Sequence, residues 1–160
     1  PLGGVAMQEF REYRGRIAID ELRRRLTVLV RRHDALRTRI DETKLTRRID
    51  PAPDLNLEEM DLRGVSPDQA RQRVDALRQD YAHRLCALSR SPWHLLLIHL
   101  PAGADDSQVL FARFDALILD GQGIAAILTD LLADAEPPPP TEAASEPIRI
   151  DPAKRAADSA

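Results

Sequence analysis

Apolar residues recur at three- and four-residue spacing through Leu22, Leu26, Leu29, Val30, His33 and Leu36, with arginines on the intervening positions. This pattern predicts one amphipathic helix, and Asp20 stands where an N-cap carboxylate would accept its free amide protons. A second stripe runs through Ala70, Val74, Leu77, Tyr81, Leu85 and Leu88, opened by Ser66-Pro67. Serine caps such a helix, and proline at its first position lacks only an amide proton with no helical partner. Elsewhere the pattern is extended. Val5 to Tyr13 alternates weakly and ends at Gly15, and Thr38–Ile40 and Lys44–Ile49 flank an Asp41-Glu42 turn. Pro51-Ala52-Pro53 interrupts the pattern, and Leu55–Leu62 reads as an edge segment. Two apolar runs follow, Trp93–Leu100 and Val109–Leu119, joined by a short turn that predicts antiparallel pairing. Gly121-Gln122-Gly123 ends the second run, and Ile124–Ala133 starts a third helix.

This order of elements predicts an α+β layer, with helices packed on a mostly antiparallel or mixed sheet. Residues 1–135 are expected to form this folded unit. Pro137-Pro138-Pro139-Pro140 opens a stretch without periodicity, so residues 136–160 read as a proline-rich linker or disordered tail.

The chain has 160 residues, 43% of them hydrophobic and 31% charged, which is a folding composition and excludes wholesale disorder. No apolar run approaches the ~20 residues of a membrane-spanning helix. The first residue is Pro1 rather than methionine and no charged-then-apolar leader follows, so no signal peptide is visible and a piece of a longer polypeptide is suggested. The single cysteine, Cys86, excludes an internal disulfide framework and a multi-cysteine zinc site, and reads as a small apolar filler on a helix face. Cytoplasm is the default compartment. Residues 1–50 carry a net +5 and residues 51–160 a net −8, together the −3 of the whole. Without aromatic interleaving or a nucleic-acid motif, and with a pI near 5.8, the basic front half reads mainly as solvated helix faces.

Asp115 and Asp120 bracket an otherwise apolar strand end. A carboxylate beside buried strands must be paired, hydrogen-bonded or protonated. Candidate partners are Arg37, Arg39 and Arg113; otherwise Asp120 caps the helix near Ile124 or anchors the turn. His33 lies on the apolar helix face as a satisfied, partly buried histidine. His94 and His99 differ by five residues, fall on opposite strand faces and make a poor metal-chelating pair. No metal site is predicted.

Several segments, in order, resemble the N-terminal half of a condensation-type domain of nonribosomal peptide synthetases, in its heterocyclization subtype. Pro1-Leu2-Gly3-Gly4-Val5 is similar to the entry of the first strand. Arg32-His33-Asp34-Ala35-Leu36-Arg37-Thr38 is similar to the family's RHxxLRT helix end. Asp61-Leu62-Arg63-Gly64 resembles its DLR segment, and Ser91-Pro92-Trp93 its strand entry. Asp115-x4-Asp120 stands where ordinary condensation domains carry HHxxxDG.

The resemblance implies a chloramphenicol-acetyltransferase-like fold of two lobes around a tunnel. Phosphopantetheine arms of peptidyl or aryl carrier proteins deliver substrates into it, and no cofactor is bound directly. The motif's histidine tied to amide formation falls at Ala116, whose methyl group neither accepts a proton nor orients an amine. The heterocyclization subtype instead carries DxxxxD, which fits Asp115 and Asp120 as architectural or tunnel-lining residues. The resemblance makes Arg37 the partner of Asp120, with His33 and Gly121 in structural roles. It also implies partnership with the C-terminal lobe and adjacent synthetase domains, without nucleic acid or membrane. Such domains join an acyl thioester to a cysteine, serine or threonine unit and cyclodehydrate the product to a thiazoline or oxazoline. One departure is Gly123, where the family loop usually has serine; Gln122 also replaces an often bulky residue. A catalytically inactive half-domain that docks carrier proteins or tailoring enzymes would tolerate both changes. An unrelated acyltransferase of the same two-lobed fold is a third reading, which Ala116 opposes.

Overall fold

A computed structural model describes residues 8–84, 86–104 and 106–133. Strand β1 (Gln8–Gly15) leads into helix α1 (Ile19–Arg32) and the short helix α2 (Asp34–Arg37). A hairpin of β2 (Thr38–Asp41) and β3 (Thr46–Ile49) follows, then β4 (Leu57–Asp61) and α3 (Pro67–His83). Strands β5 (Trp93–His99) and β6 (Gln108–Asp115) precede α4 (Gly121–Leu132). The main sheet has the order β1-β6-β5-β4. β6 is antiparallel to both of its neighbours and β4 lies parallel to β5, so the sheet is mixed.

β5 and β6 are apolar almost throughout because the sheet is covered on both faces. On one side Leu95, Leu97, Leu110, Ala112 and Phe114 pack with Leu22, Leu26 and Leu29 of α1 and Ile127 and Leu128 of α4. On the other, Leu96, Ile98, Val109 and Phe111 pack with Val74 and Tyr81 of α3. The helices are also tied to the sheet edges. Arg23 of α1 donates to Glu59 of β4 at 2.6 Å, and Arg78 of α3 makes a bidentate contact with Glu12 of β1 at 2.6 and 3.0 Å. The Arg78 guanidinium holds the Glu12 carboxyl below its usual range against the opposing effect of burial.

Several boundaries differ from the sequence pattern for local reasons. Helix α1 is capped at Ala18 without a side-chain bond; Asp20 lies inside its first turn, where a carboxylate complements the helix dipole. α1 also stops short of Leu36, because His33 is extended and its N–H closes on Leu29 O. α3 ends at His83, so Leu88 lies in a separate turn and its carbonyl accepts from Ile40 N–H. β6 ends at Asp115 rather than Leu119, and α4 begins three residues before Ile124. Val5, Leu85 and the tail from residue 136 lie outside the described residues.

Ser66 and Pro67 do what their sequence positions suggest. Ser66 Oγ accepts from Gln69 N–H, and the Gln69 side chain accepts from Ser66 N–H in a reciprocal capping box. Ser66→Ala is expected to cost about 1 kcal/mol of unfolding free energy in urea titration; no change in midpoint would mean that the box contributes nothing.

Candidate functional site

The loop from Asp115 to Asp120 emerges where β6 leaves the sheet, between the β2–β3 hairpin and the start of α4. Asp115 is buried, at 6% exposure, and Asp120 is exposed. Asp115 builds the turn itself: its Oδ1 accepts from Leu117 N–H at 3.0 Å and its carbonyl from Ile118 N–H at 3.2 Å. Its own N–H donates to Pro92 O at 2.8 Å, tying the loop to the entry of β5. Asp120 caps α4, with Oδ1 accepting from Gly123 N–H at 2.7 Å. The capping alternative therefore describes Asp120, and the pairing with Arg37 does not. Arg37 instead binds Asp34, three residues earlier on the same short helix.

Gly123 fits this cap closely. A Cβ there would lie 3.0 Å from Leu119 Cδ2 and 3.2 Å from Asp120 Oδ1, so a serine would require both neighbours to yield slightly. Gly121 faces Glu9 of β1, whose Oε2 would lie 3.4 Å from an added Cβ. Because asparagine caps about as well as aspartate, Asp120→Asn is expected to keep native stability while Asp120→Ala loses about 1 kcal/mol. Equal losses in the two variants, read by thermal melting, would restore an ion-pair role for the carboxylate.

Ala116 is exposed on this loop and Leu117 is 69% exposed. Leu117 and Ile118 face Ile40 and Ile49 of the hairpin across a shallow groove. The loop thus offers hydrogen-bonding groups already engaged in its own turn and an apolar surface, but no imidazole.

A second group of polar residues lies on the α3 side of the sheet, at the same end. Tyr81 Oη and His94 Nδ1 are 2.9 Å apart, and His94 Nε2 lies 3.3 Å from Glu58 Oε1. An ionised Glu58 only accepts, so Nε2 carries the proton and donates to it, leaving Nδ1 to accept from the Tyr81 hydroxyl. Burial pulls His94 below the usual imidazole range despite Glu58, and it pushes the Tyr81 phenol up to about 12. Arg113, opposite His94 across the strands, donates to Arg84 O at 2.7 Å, and its guanidinium carbon lies 5.0 Å from the Tyr81 ring centroid. Burial also raises the Cys86 thiol against the opposing influence of Arg113, and Cys86 lies beyond the end of α3 rather than on a helix face.

His33 differs from its sequence expectation. It is half-buried, but its Nε2 has no hydrogen-bond partner among the described residues, and burial lowers its basicity. His94 and His99 do fall on opposite faces: His99 meets Glu59 and Gln108. Among the described residues no cluster of three or more His, Cys, Asp or Glu side chains is placed to hold a metal ion.

The lowered values of His33 and His94 fix a sign. Both groups bind a proton more readily in the unfolded chain, so their contribution is complete above about pH 6.5 and is lost as the pH falls below it toward their folded values. Stability is expected to decline between about pH 7 and 5, with a shallower slope in a His33→Gln/His94→Gln variant. An unchanged slope in that variant would contradict the assignment.

Sequence reasoning found the Asp115–Asp120 loop but missed Tyr81, Glu58 and Arg113 as a cluster with His94. These residues come from α3, β4, β6 and β5, and only the strand register brings them together.

A mixed sheet covered on both faces, with its motif loop at the end of β6, is the architecture of a chloramphenicol-acetyltransferase-like condensation domain, of which this chain makes up a part. Its fold superimposes on the EpoB cyclization-docking bidomain from Sorangium cellulosum with a TM-score of 0.72 at 23% identity, over 88% of this chain and 29% of that one. The starter condensation domain of the rhizomide synthetase RzmA gives a TM-score of 0.58 at 21% identity, over 78% of this chain and 30% of that one. The condensation domain family model matches residues 5–134, and the chain belongs to that family. It is 33% identical over 144 residues to the phenyloxazoline synthase MbtB of Mycobacterium tuberculosis. That alignment takes in 86% of this chain, which spans about a tenth of the relative's length (10%). No helix among the described residues is long and apolar enough to cross a membrane.

Proposed function

We propose that this chain is the N-terminal lobe of a heterocyclization domain in a nonribosomal peptide synthetase. The domain joins a carrier-bound acyl group to a carrier-bound cysteine, serine or threonine unit and cyclodehydrates the product to a thiazoline or oxazoline. The carrying observation is the motif loop: Asp115 and Asp120 stand five residues apart, with Ala116 where amide-forming relatives place an imidazole. The kinship with a phenyloxazoline synthase supports the same reading. In this proposal both aspartates act on the loop rather than on substrate. Asp115 fixes the turn and Asp120 starts α4, so the apolar Leu117-Ile118 segment is presented at a constant height. The phosphopantetheine arms are parts of the carrier-bound substrates, and the groups that drive cyclodehydration belong to the C-terminal lobe.

A second reading is favoured by Gly123 and Gln122, which depart from the family loop: an inactive condensation-like module that docks carrier proteins or tailoring enzymes. Under the first reading, the 160-residue chain alone, mixed with loaded carrier proteins, forms neither amide nor azoline. A cyclised product detected by mass spectrometry in that mixture would overturn the division of labour between lobes. Docking without product, persisting when the complementary lobe is supplied, would favour the module.

A further inference from the structure

Beside the motif loop, where β4 and β5 begin and β6 ends, a cleft of about 450 Å³ lies between β4, the β2–β3 hairpin and the turn before β5. Three side chains lining it are more than nine-tenths buried: Arg39 (7% exposed), Ser91 (7%) and Arg113 (6%). Each keeps a buried polar atom without a hydrogen-bond partner among the described residues: Arg39 Nη1, Ser91 Oγ and Arg113 Nε. A buried donor left unpaired costs about 1–3 kcal/mol, and three of the six such side-chain atoms among the described residues belong to residues lining this one cleft.

Arg113 is the sharper case. Its guanidinium meets the Arg84 carbonyl, the Tyr81 ring and the Cys86 thiol, and it makes no ion pair with a carboxylate among the described residues. Asp115, on the same strand face, spends Oδ1 on its own turn. Arg39 has Asp50 at 3.3 Å on Nη2 only, and Arg48, directly across the hairpin, adds a like charge. The exposed Arg90 also lines the cleft, where the arginines meet Asp50, already paired with Arg39, and the exposed carboxylates Asp54 and Glu58.

We propose that this cleft binds a carboxylate, held by Arg39, Ser91 and Arg113, and favours ligands that carry a cationic group beside it, as a zwitterionic amino acid does. Guanidinium pairs and a hydroxyl match the planar acceptor face of a carboxylate. The exposed Asp54 and Glu58 match a trailing ammonium and disfavour a multiply charged anion. The three unpaired atoms are themselves buried, so a ligand reaches them through rotation of the Ser91 side chain and turns of the two guanidinium groups. The inference does not depend on the heterocyclization reading.

The test is a titration of the full chain at constant ionic strength with glycine, acetate and inorganic phosphate, followed through the Arg113 Nε–H and Ser91 amide resonances. Saturable shifts are expected, tightest for glycine, weaker for acetate and weakest for phosphate. Ser91→Ala should weaken glycine binding by roughly tenfold, the loss of one hydrogen bond to a charged group. Arg113→Met should abolish it. If Arg113→Met fails to fold, the Ser91→Ala titration decides alone. Shifts that do not saturate, that are tightest for phosphate, or that are unchanged in Ser91→Ala would overturn the proposal.

Discussion

Replacing Trp93 with alanine is expected to remove about 3–5 kcal/mol of unfolding free energy, a large part of what a domain of this size possesses. The indole is 1% exposed and packs in the α1–α4 layer with Leu36, Leu95 and Phe114. Its Nε1–H donates to Leu36 O at 2.8 Å, so truncation leaves both a large cavity and an orphaned carbonyl at the end of α2. The same residue fixes the neighbourhood of the motif loop. Trp93 O accepts from Asn56 Nδ2, and the preceding Pro92 O accepts from Asp115 N–H. Trp93→Phe separates the two effects: it keeps most of the volume and should cost about 1 kcal/mol for the hydrogen bond plus a smaller packing loss. Denaturant unfolding of the three proteins reads the difference. Trp93→Ala with a loss under 1 kcal/mol would mean that the α1–α4 layer does not depend on this side chain.

The second large effect belongs to the opposite layer. Phe111 is wholly buried, with its ring centroid 5.2 Å from that of Phe10 in an edge-to-face pair and 5.7 Å from that of Tyr81. Phe111→Ala should also cost about 3–5 kcal/mol, including the edge-to-face contribution. Its distinguishing signature is local: Tyr81 loses a neighbour on the ring face shared with the core, so the Tyr81–His94 hydrogen bond loosens. His94 is then better solvated, and its pKa should rise toward the ordinary imidazole value in a histidine-detected NMR titration. Destabilisation with an unmoved His94 titration would show that burial of the imidazole does not depend on the aromatic layer.

The sequence made the strands and helices legible where one physical signal dominated. The α1 stripe, the Ser66-Pro67 opening and the two apolar central strands each follow from periodicity or capping chemistry. Boundaries were less legible where side chains competed for the backbone. Asp115 ends β6 because its carboxylate captures Leu117 N–H, and no hydrophobic pattern encodes that choice. Likewise His33 separates two helices although its spacing continues the apolar stripe. The motif loop was legible because acids among apolar residues demand an explanation. Its partners were not, since Arg37 had a nearer carboxylate in Asp34. The Tyr81–His94–Glu58 array and the unpaired donors beside it arise from strand order and register, to which single-chain periodicity is blind.

The proposed heterocyclization role requires that the Asp115–Asp120 loop belong to a domain that cyclodehydrates rather than one that stops at an amide. The most direct measurement supplies this chain together with the remainder of its condensation domain and with loaded donor and acceptor carriers. The mass of the product on the acceptor carrier is then read. An azoline, one water lighter than the linear amide, is the predicted result. Accumulation of the linear amide alone, or an acceptor carrier that keeps only its original aminoacyl group, would contradict it.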